Sequence, residues 1–428
     1  YSGKRIRTMT PRMFDQKLEE LGQESGEIEK NLYAICDRFG PRFAGSDNYR
    51  LAAEYMLGRF NEYGLTDAHL EPFEFTAFRR GEPAQLQMTS PFPDPVPCYA
   101  LPYGGNTGPD AIEAEVVDIA GGTSEQIEAL QDDLAGKFGL VTSPGRHRMA
   151  IFEDCVRVKA AGMVLCNRAE GNILCSGSVT DAVEGEIPAV SIGRESGLKL
   201  QRLAKSGPVR LRLSVGNQFA TDTTWNVVGE LTGSEHPEEL VIVGGHLDSH
   251  EIGPGAYDNA AGAVTVAEMA RMLAMVRDQL KRTVRFICFG AEEVGLLGSR
   301  YHAQAHAEQL TNARLMFNCD MPAMNKPWGL VLHRCPQAEP FVERLSEQLS
   351  MDLPCRHVTH AKSDHYPFTE LGIPAMALSG TGPKVGTMGF GHMAGDTPER
   401  IPVDCLCEAA AFSSRIVLSA ANDEQWPE

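Results

Sequence analysis

The sequence predicts an α/β fold in which a mixed, largely parallel central sheet is flanked by helices and a smaller α/β domain is inserted. From about residue 224 onward, near-continuous apolar strands alternate with amphipathic helices, a pattern typical of a sheet covered on both faces. The 428 residues are enough for two or three domains. The stretch 91–108 is rich in proline and glycine, which is typical of a linker. We therefore assign residues 1–95 and 216–428 to a main domain and residues 96–215 to an inserted one.

The elements of the first half follow from the spacing of apolar residues. Two helices are expected over residues 14–38 and 47–63, because a Gly-Pro-Arg break at residues 40–42 interrupts the helical pattern between them. A pair of strands is expected next. The inserted domain is expected to have helices at about 150–160 and 195–205 and strands at about 113–119, 137–143, 162–166 and 188–192.

The second half alternates strand and helix. Strands are expected at 239–245, 283–290 and 314–319, helices from about 260 and 294, and a last helix at about 402–421. Because such connections make neighbouring strands parallel, the carboxyl ends of the strands meet at one edge of the sheet. Open α/β sheets build their sites at this edge.

The composition is that of an ordinary globular protein, with 43% hydrophobic and 22% charged residues. Lys and Arg number 39 against 57 Asp and Glu, and the formal charge of −18 argues against nucleic acid or an anionic membrane as a partner. No apolar run approaches the roughly 18 residues of a membrane helix. A cytoplasmic location is favoured, and a secreted or periplasmic one stays open if a signal peptide has been removed.

Acidic residues and histidine cluster just beyond the predicted strands of the second half. Five segments carry them: residues 244–249 (GGHLDS), 255–262 (GAYDNAAG), 290–293 (GAEE), 319–320 (CD) and 391–397 (GHMAGDT). Two adjacent carboxylates directly after a buried strand are costly to bury without partners. The five placements together therefore point to a site rather than to ordinary surface.

These residue types suit divalent metal ions, which bind imidazole nitrogen and carboxylate oxygen. The candidate ligands are His246, Asp258, Glu293, Asp320 and His392. Five ligands exceed what one tetrahedral ion with an open position needs, so we expect two Zn²⁺ per chain. His246, Asp258 and Asp320 would hold one ion, and Asp258, Glu293 and His392 the other, with Asp258 bridging. Two ions roughly 3.5 to 4 Å apart would share a water and lower its pKa towards neutrality.

Two neighbouring acids are left for other roles. Glu292 is free to act as the general base, and Asp248, two residues after His246, is placed to accept the other N–H of that ring. Taken alone, each acid is also explained as an ordinary surface residue, because carboxylates in loops are mostly exposed to solvent. Asp258, before a helix, would then be an N-cap.

Two other sets of candidate ligands are interpreted as structural. The eleven cysteines include no Cys-x-x-Cys pair, and their odd number leaves at least one thiol free in a monomer, so neither a cysteine zinc site nor a disulfide scaffold is expected. His302 and His306 lie four apart on an expected helix, but Ala303 stands where a zinc-protease motif needs Glu. We interpret this histidine pair as helix surface.

The motifs resemble the co-catalytic zinc exopeptidases, the family that includes bacterial leucyl aminopeptidases, plasma glutamate carboxypeptidase (carboxypeptidase Q) and glutamate carboxypeptidase II. The resemblance covers about residues 20–80 and 224–420, with the motifs in family order. It implies a zinc-exopeptidase fold of the phosphorylase/hydrolase-like type and a cis peptide bond between Asp258 and Asn259. It also implies Glu292 as the catalytic base, Asp248 as the acid that orients the histidine, and the metal ligands His246, Asp258, Glu293, Asp320 and His392.

Two further segments resemble parts of the family. Residues 96–215 resemble an inserted protease-associated domain, on the strands GKFGLV at 136–141 and IPAVS at 187–191. Residues 360–365 (HAKSDH) resemble the substrate loop, and His360 stands where many aminopeptidases carry tyrosine. His360 is therefore the candidate donor to the oxyanion of the transition state.

Residues and resemblance together predict a zinc-dependent metallopeptidase, a hydrolase that acts on the chain ends of short peptides. Aminopeptidase or dipeptidase action is favoured over glutamate-carboxypeptidase action, because paired carboxylates call for arginines and Arg334 alone lies near a predicted site loop. A single-zinc glutaminyl cyclase and a noncatalytic receptor-like binding protein are further alternatives, against which the five ligands and Glu292 argue. The inserted domain is expected to restrict access to the site and to support a homodimer.

Overall fold

The computed structural model describes residues 11–382 and 389–426, and two eight-stranded sheets are the framework of these residues. No helix within them is both long and apolar enough to cross a membrane. The strands are β1 (Thr66–Arg79), β2 (Gln85–Ser90), β3 (Asp94–Pro95), β4 (Cys98–Ala100), β5 (Ile112–Asp118), β6 (Phe138–Val141), β7 (Gly162–Cys166), β8 (Ala189–Ile192), β9 (Arg210–Ser214), β10 (Gln218–Leu231), β11 (His236–His246), β12 (Arg282–Phe289), β13 (Ala313–Asn318), β14 (Asn325–His333), β15 (Cys355–Val358) and β16 (Ala375–Thr381). The α-helices are α1 (Pro11–Leu21), α2 (Gly26–Tyr33), α3 (Asp47–Glu62), α4 (Ser124–Ala129), α5 (Gln131–Leu134), α6 (Arg148–Arg157), α7 (Arg194–Ala204), α8 (Ala261–Ala274), α9 (Leu297–Ala305), α10 (Ala307–Leu310), α11 (Glu339–Leu349), α12 (His365–Glu370) and α13 (Val403–Asn422).

The main sheet is mixed and has the strand order β1-β10-β12-β11-β13-β16-β14-β15. Its centre, from β12 to β16, is parallel. Towards one edge β10 and β1 run antiparallel to their neighbours, and towards the other β14 runs antiparallel to β16 and parallel to β15. Helices α8 and α13 pack on one face, and α9 and α12 on the other. The predicted mixed α/β fold with flanking helices is confirmed.

The apolar run in β11 shows why both faces of the sheet are covered. Val241 and Val243 belong to the core beneath α8 and α13, whereas Leu240 and Ile242 belong to the core beneath α9 and α12. Side chains alternate between the faces of a strand, so a continuous apolar run needs a covering on each side. Burying each such side chain contributes about 1.5 to 3 kcal/mol. The central strands, whose ends carry the candidate site, are thus firmly anchored.

The second sheet has the order β3-β2-β9-β5-β6-β7-β8-β4 and contains the strands between residues 85 and 214. The chain leaves and re-enters the main sheet at one place, because Arg79 at the end of β1 pairs with Gln218 at the start of β10. The two crossing segments touch there: a Cβ added to Gly81 would lie 1.7 Å from the carbonyl oxygen of Gly216, so only glycine fits. This arrangement is that of a unit inserted at the end of a hairpin.

The extent of the inserted unit stays a prediction, and the strands indicate an earlier start than residue 96. β2 and β3 precede that residue but pair within the second sheet. The proline-rich stretch 91–108 that suggested the boundary lies inside this sheet, since it contains β3 and β4. We therefore propose residues 80–217 as the inserted unit and refer to them as the insert.

The N-terminal expectations need two corrections. The single helix expected over 14–38 is divided, because α1 ends before Gly22 and α2 begins at Gly26, after which the chain continues as a π-helical turn over Ala34–Phe39. A Cβ on Gly22 would lie only 2.8 Å from the Cβ of Ala411 in α13, so this close approach requires the residue with nearly the lowest helix propensity. The expected strand pair is β1 and β2, but the two strands belong to different sheets.

Candidate active site

The predicted ligands meet at the carboxyl edge of the parallel strands. His246 ends β11, Glu293 follows β12 and Asp320 follows β13. These loops are neighbours because β11 lies between β12 and β13. Asp258 comes from the turn before α8, and His392 from the loop that precedes α13.

His246 is at the centre of a first cluster. Its Nε2 atom lies 3.3 Å from Oδ1 of Asp258 and 3.4 Å from Oδ1 of Asp320. Oε2 of Glu292 lies 4.0 Å from the same nitrogen. The structure thus brings together the three residues of the first predicted ligand set, with the predicted base beside them.

His392 is at the centre of a second cluster. Its Nε2 atom lies 3.2 Å from Oδ2 of Asp258 and 3.2 Å from Oε2 of Glu293. Asp258 therefore turns one oxygen to each cluster, as a bridging carboxylate would. A residue that no motif singled out, His250, also belongs here, since its Nε2 atom lies 2.9 Å from Oε2 of Glu293.

Burial opposes the charges of His392, Asp258 and Glu293, and the neighbouring acids and histidines offset this. Burial would lower the pKa of His392, but Glu293 and Asp258 raise it to about 10. Burial and Glu293 would raise the pKa of Asp258, but His246 and His392 lower it to about 2. Burial likewise opposes the charge of Glu293, yet His250 and His392 hold its pKa well below the usual range. A metal ion would take the place of the protons on these histidines, because only neutral imidazole binds metal.

The donor atoms of the clusters fit divalent metal ions. Glu293 Oε1, Asp320 Oδ1 and His250 Nε2 are buried without a hydrogen-bond partner in the part of the chain that the structure describes, which is rare for buried polar atoms. Histidine with carboxylate is a donor set that zinc favours. Two groups of three side chains each place their donor atoms within 4.8 Å of one another, namely His246, Asp258 and Asp320, and His250, Glu293 and His392.

Glu292 is placed beside the first cluster with a raised proton affinity. Its side chain is only 12% exposed, and it lines the cavity described below. Burial raises the pKa of Glu292 well above its usual range, although His246 opposes the shift. A carboxylate with a raised pKa accepts a proton more readily than an exposed one, which is what a general base requires.

Asp248 holds the site in a different way from the one predicted. The ring Nδ1 of His246 lies 3.1 Å from the main-chain carbonyl oxygen of Asp248 and 3.6 Å from its carboxylate. The carboxylate instead accepts the backbone N–H groups of Glu292, at 3.1 Å, and Glu293, at 3.2 Å. Buried N–H groups need acceptors, and an ionised carboxylate is a strong one, which explains the difference. Asp248 therefore fixes the Glu-Glu turn and reaches His246 through its backbone.

Asp396 holds the turn that carries Asp258. The peptide bond between Asp258 and Asn259 is cis, as the resemblance implied. The two carboxylate oxygens of Asp396 accept the backbone N–H groups of Tyr257, at 2.8 Å, and Asp258, at 3.0 Å. Asp396 stands in the glycine-rich segment 391–397 that the sequence singled out for His392 alone.

Arg42 connects the loops that carry the predicted ligands His246 and Asp258. It is fully buried, and its guanidinium donates to the main-chain carbonyl oxygens of Gly40, Leu247, Pro254 and Gly255. Two of these residues, Pro254 and Gly255, directly precede the turn of Asp258, and Leu247 follows His246. The Gly-Pro-Arg break was noticed only as a helix terminator, so the role of its arginine was missed.

A cavity of about 250 Å³ opens over both clusters. Its lining includes all the predicted site residues except the fully buried Asp248: His246, Asp258, Glu292, Glu293, Asp320, His360 and His392. His360 is exposed on the loop that follows β15. The cavity also carries cations that were not predicted there, Arg148, Arg300 and Lys362. Arg334 is not part of the lining, and its guanidinium lies 6.0 Å from the ring of Tyr366.

The insert supplies one wall of this cavity, through residues His147, Arg148, Met149 and Asp181. It also contacts the metal-binding loops. Ser178 Oγ donates to the main-chain carbonyl oxygen of Glu293 at 2.7 Å, and the backbone N–H of Ser176 donates to that of His392 at 2.9 Å. The insert therefore helps to hold two of the predicted ligands.

The interpretation of His302 and His306 as helix surface is wrong for His302, which is fully buried. The carboxylate of Glu71 in β1 lies 3.0 Å from Nδ1 of His302 and 2.6 Å from Nε2 of His306. Asn226 donates to the same carboxylate at 2.7 Å. Both histidines have hydrogen-bond geometry to Glu71, so this cluster is satisfied without a metal ion.

Comparison with known proteins shows which proteins this chain resembles. Residues 226–416 match the model of peptidase family M28. The chain is 26% identical to human carboxypeptidase Q over 370 residues, which are 83% of this chain and 78% of that protein. It is 28% identical over 384 residues to probable leucine aminopeptidase 2 of Aspergillus oryzae, covering 85% of this chain and 73% of that protein.

Two solved structures share the fold over nearly the whole chain. A peptidase M28 precursor from Shewanella amazonensis superposes with a TM-score of 0.82 at 22% identity, over 98% of this chain and 99% of that one. BSAP, a zinc aminopeptidase from Bacillus subtilis, superposes with a TM-score of 0.74 at 22% identity, over 94% and 96%. The segment matched by the family model contains all five predicted metal ligands. The resemblance to zinc exopeptidases is therefore confirmed, and residues 226–416 match peptidase family M28.

Proposed function

We propose that the chain is a zinc-dependent exopeptidase that hydrolyses short peptides at a centre of two metal ions. The observation that carries this proposal is the position of Asp258, whose two oxygens face His246 at 3.3 Å and His392 at 3.2 Å. One carboxylate shared by two histidine-containing clusters is what a pair of ions needs. The relatives named carboxypeptidase Q and leucine aminopeptidase support peptide hydrolysis.

In this proposal the ligands divide between the two ions as the sequence analysis expects. His246, Asp258 and Asp320 would hold the first ion, and Asp258, Glu293 and His392 the second. Bound zinc would polarise the scissile carbonyl and lower the pKa of the attacking water. Two of the orphaned donor atoms described above, Glu293 Oε1 and Asp320 Oδ1, support this assignment, since each would gain a partner.

The protein's own residues would move the proton. Glu292 lies beside the first cluster, and its raised pKa suits a group that takes a proton from the attacking water and returns it to the leaving amine. The Asp248 carboxylate accepts the backbone N–H of Glu292 at 3.1 Å and so holds the turn that carries the base. His360, exposed on the cavity wall, is the proposed donor to the oxyanion.

The insert limits the substrate to short peptides and chain ends. It forms a wall of the cavity and contacts the loops of Glu293 and His392, so a long chain has little room to pass across the site. We retain the protease-associated type for this unit and a homodimer as predictions that follow from the resemblance.

Glu292→Gln tests the proposed function. The variant should keep its zinc and its fold but lose about 10²- to 10⁴-fold in kcat, because an amide of the same shape is not a useful base. Glu308→Gln, at an exposed position, is the control and should retain full activity. Zinc content, circular dichroism and dipeptide hydrolysis are measured on the same preparations. Retention of more than a tenth of the wild-type kcat would remove Glu292 from this role.

A carboxypeptidase-like mode, in place of the favoured aminopeptidase or dipeptidase action, is a second candidate, and the cations of the cavity support it. Arg148 lies at the start of α6 in the insert, and within the described residues its guanidinium makes one hydrogen bond, from Nε to the carbonyl oxygen of Ser178 at 2.8 Å. Its two terminal nitrogens are therefore available for a bidentate contact with the free carboxylate of a peptide. The expectation that only Arg334 could serve in this way is not supported.

A free dipeptide and its C-terminal amide distinguish the carboxypeptidase-like mode, which reads the free carboxylate, from the aminopeptidase mode. If Arg148 binds the terminal carboxylate, Arg148→Met should raise KM about 10- to 100-fold for a free dipeptide and leave the KM of its C-terminal amide unchanged. Arg157→Met, in the same helix but exposed to solvent, is the control. Equal effects of Arg148→Met on both substrates would exclude recognition of the carboxylate.

A further inference from the structure

His250 lies inside the second cluster, although no motif pointed to it. Its side chain is 2% exposed and packs between Phe43 and His392, with ring centroids 5.7 and 4.4 Å away. Its Nε2 atom lies 2.9 Å from Oε2 of Glu293, and His392 Nε2 lies 3.2 Å from that same oxygen. Two imidazole nitrogens therefore converge on one carboxylate oxygen.

The contact between His250 and Glu293 is close but is not an aligned hydrogen bond. Nε2 of His250 and Oε1 of Glu293 are both buried without a hydrogen-bond partner in the described part of the chain. At Glu71, in contrast, the imidazoles and the carboxylate are properly aligned. Nε2 of His250 approaches the other oxygen of Glu293, Oε2, to 2.9 Å without forming an aligned hydrogen bond. Such a buried contact is costly unless a cation lies beside it.

The other ring nitrogen of His250 has the partner that a metal-bound histidine needs. Nδ1 lies 3.3 Å from Oγ of Ser176, a buried hydroxyl of the insert that can accept its proton. With the proton on Nδ1, the lone pair of Nε2 is free to bind a cation beside Glu293. Metal-bound histidines usually donate their second N–H to a polar group in this way.

The distances also suit a metal ion. Zinc bonds of about 2.0 to 2.1 Å in tetrahedral geometry separate neighbouring ligand atoms by about 3.3 Å. The two observed separations at Oε2 of Glu293, 2.9 and 3.2 Å, are within a few tenths of an ångström of that edge.

We infer that His250 Nε2 is a further ligand of the metal ion held by Glu293 and His392. This inference rests on the two-metal centre proposed above and makes it asymmetric. The second ion would have four protein ligands, counting Asp258, and its tetrahedral shell would be filled. The first ion would have three and keep an open position. The second ion should therefore be bound more tightly, and substrate should meet the first.

X-ray absorption of the zinc-loaded wild type tests the inference without any substitution. Three histidines shared by two ions give an average of about 1.5 imidazoles per zinc, whereas His246 and His392 alone give about 1. A protein that binds two zinc ions with an average near 1 would overturn the role of His250. A protein that binds fewer than two would overturn the two-metal centre itself, and this inference with it.

Zinc competition against a chelator gives a second, independent test. His250→Phe keeps a ring in the packing and should weaken one of the two zinc ions by more than about 100-fold, beyond the 10- to 100-fold loss typical of groups behind a ligand. Ser176→Ala should weaken the same ion by about 10-fold. His357→Phe, at an exposed position, should change neither ion. If His250→Phe does not fold by circular dichroism, His250→Gln takes its place. Unchanged zinc affinity in a folded His250 variant would overturn the proposal.

Discussion

Replacing Glu71 by Gln is expected to lower the free energy of unfolding by about 3 kcal/mol at neutral pH without disturbing the zinc centre. The carboxylate of Glu71 is 7% exposed and is contacted by His302, His306 and Asn226. Burial would raise the pKa of Glu71, but these partners lower it from the usual 4.5 to about 2. At about 1.4 kcal/mol per pKa unit, this difference is about 3 kcal/mol. Gln resembles the protonated acid and loses this contribution.

The pH dependence has a definite sign. The folded pKa of Glu71 lies below its unfolded pKa, so the contribution is complete above about pH 4.5 and is lost as the pH falls towards 2. Burial lowers the pKa of His302 to about 4, so its contribution is lost as the pH falls from 6.5 to 4. That second loss occurs in both proteins, because His302 stays buried in the variant. The difference in free energy of unfolding between the wild type and Glu71→Gln should therefore be constant from pH 8 to 5 and become smaller only below pH 4.5.

Urea unfolding followed by circular dichroism at several pH values measures this difference. Glu74→Gln is the matched control, since Glu74 lies three residues further along β1 with an exposed side chain, and it should change stability by less than about 0.5 kcal/mol. A difference below about 1 kcal/mol for Glu71→Gln, or one that becomes smaller between pH 8 and 6, would refute the reasoning. Loss of a zinc ion in this variant would show that the cluster binds metal instead.

The remaining predictions concern the loops and the insert. Asp258→Ala should bind less zinc than His392→Ala, because a bridging carboxylate serves both ions, and equal zinc content in the two variants would contradict the bridge. Asp396→Asn should weaken zinc binding about 10- to 100-fold in a chelator competition, since one of its two backbone hydrogen bonds is lost. Arg42→Lys should lower the free energy of unfolding by about 3 kcal/mol or more, because lysine cannot serve four separate carbonyl groups, and a smaller change in urea unfolding would contradict this. A variant that joins β1 directly to β10 and lacks residues 80–217 should still bind two zinc ions by metal analysis but accept longer peptides; a soluble, folded variant without zinc would make the insert part of the minimal site.

The five candidate ligands could be proposed from the sequence because each has a local signature. His246 ends a buried apolar strand, and Glu293 and Asp320 follow closely after two others, where an acidic or imidazole side chain has no ordinary reason to be. Asp258 and His392 stand in glycine-rich turns before helices. The central strands were found for the same reason, since an apolar run buried on both faces is visible without knowledge of its partners.

The parts that sequence did not reveal depend on contacts between distant segments. The hydrogen bonds that the Asp248 carboxylate accepts were not predicted, because they come from two N–H groups more than 40 residues away, whereas spacing suggested only the histidine two residues before it. His250 carries no signal of its own, because its meaning comes from Glu293 and from Ser176 of the insert. Nothing in the sequence indicated the earlier start proposed for the insert, because β2 and β3 pair only within a sheet that is completed about 120 residues later, by β9.

The insert contacts the site through two buried serines as well as through the residues that line the cavity. Ser176 and Ser178 are two residues apart on one segment. Ser176 contacts His250 and the main chain of His392, and Ser178 contacts the backbone of Glu293. All of these contacts fall on the second cluster, and none of them reaches the first. If His250 completes the shell of the second ion, the insert stabilises the ion that anchors the centre, while the ion with the open position stays in the main domain. The first ion would then be held only by the loops of the parallel strands, whereas the second ion would be supported from both the main sheet and the insert.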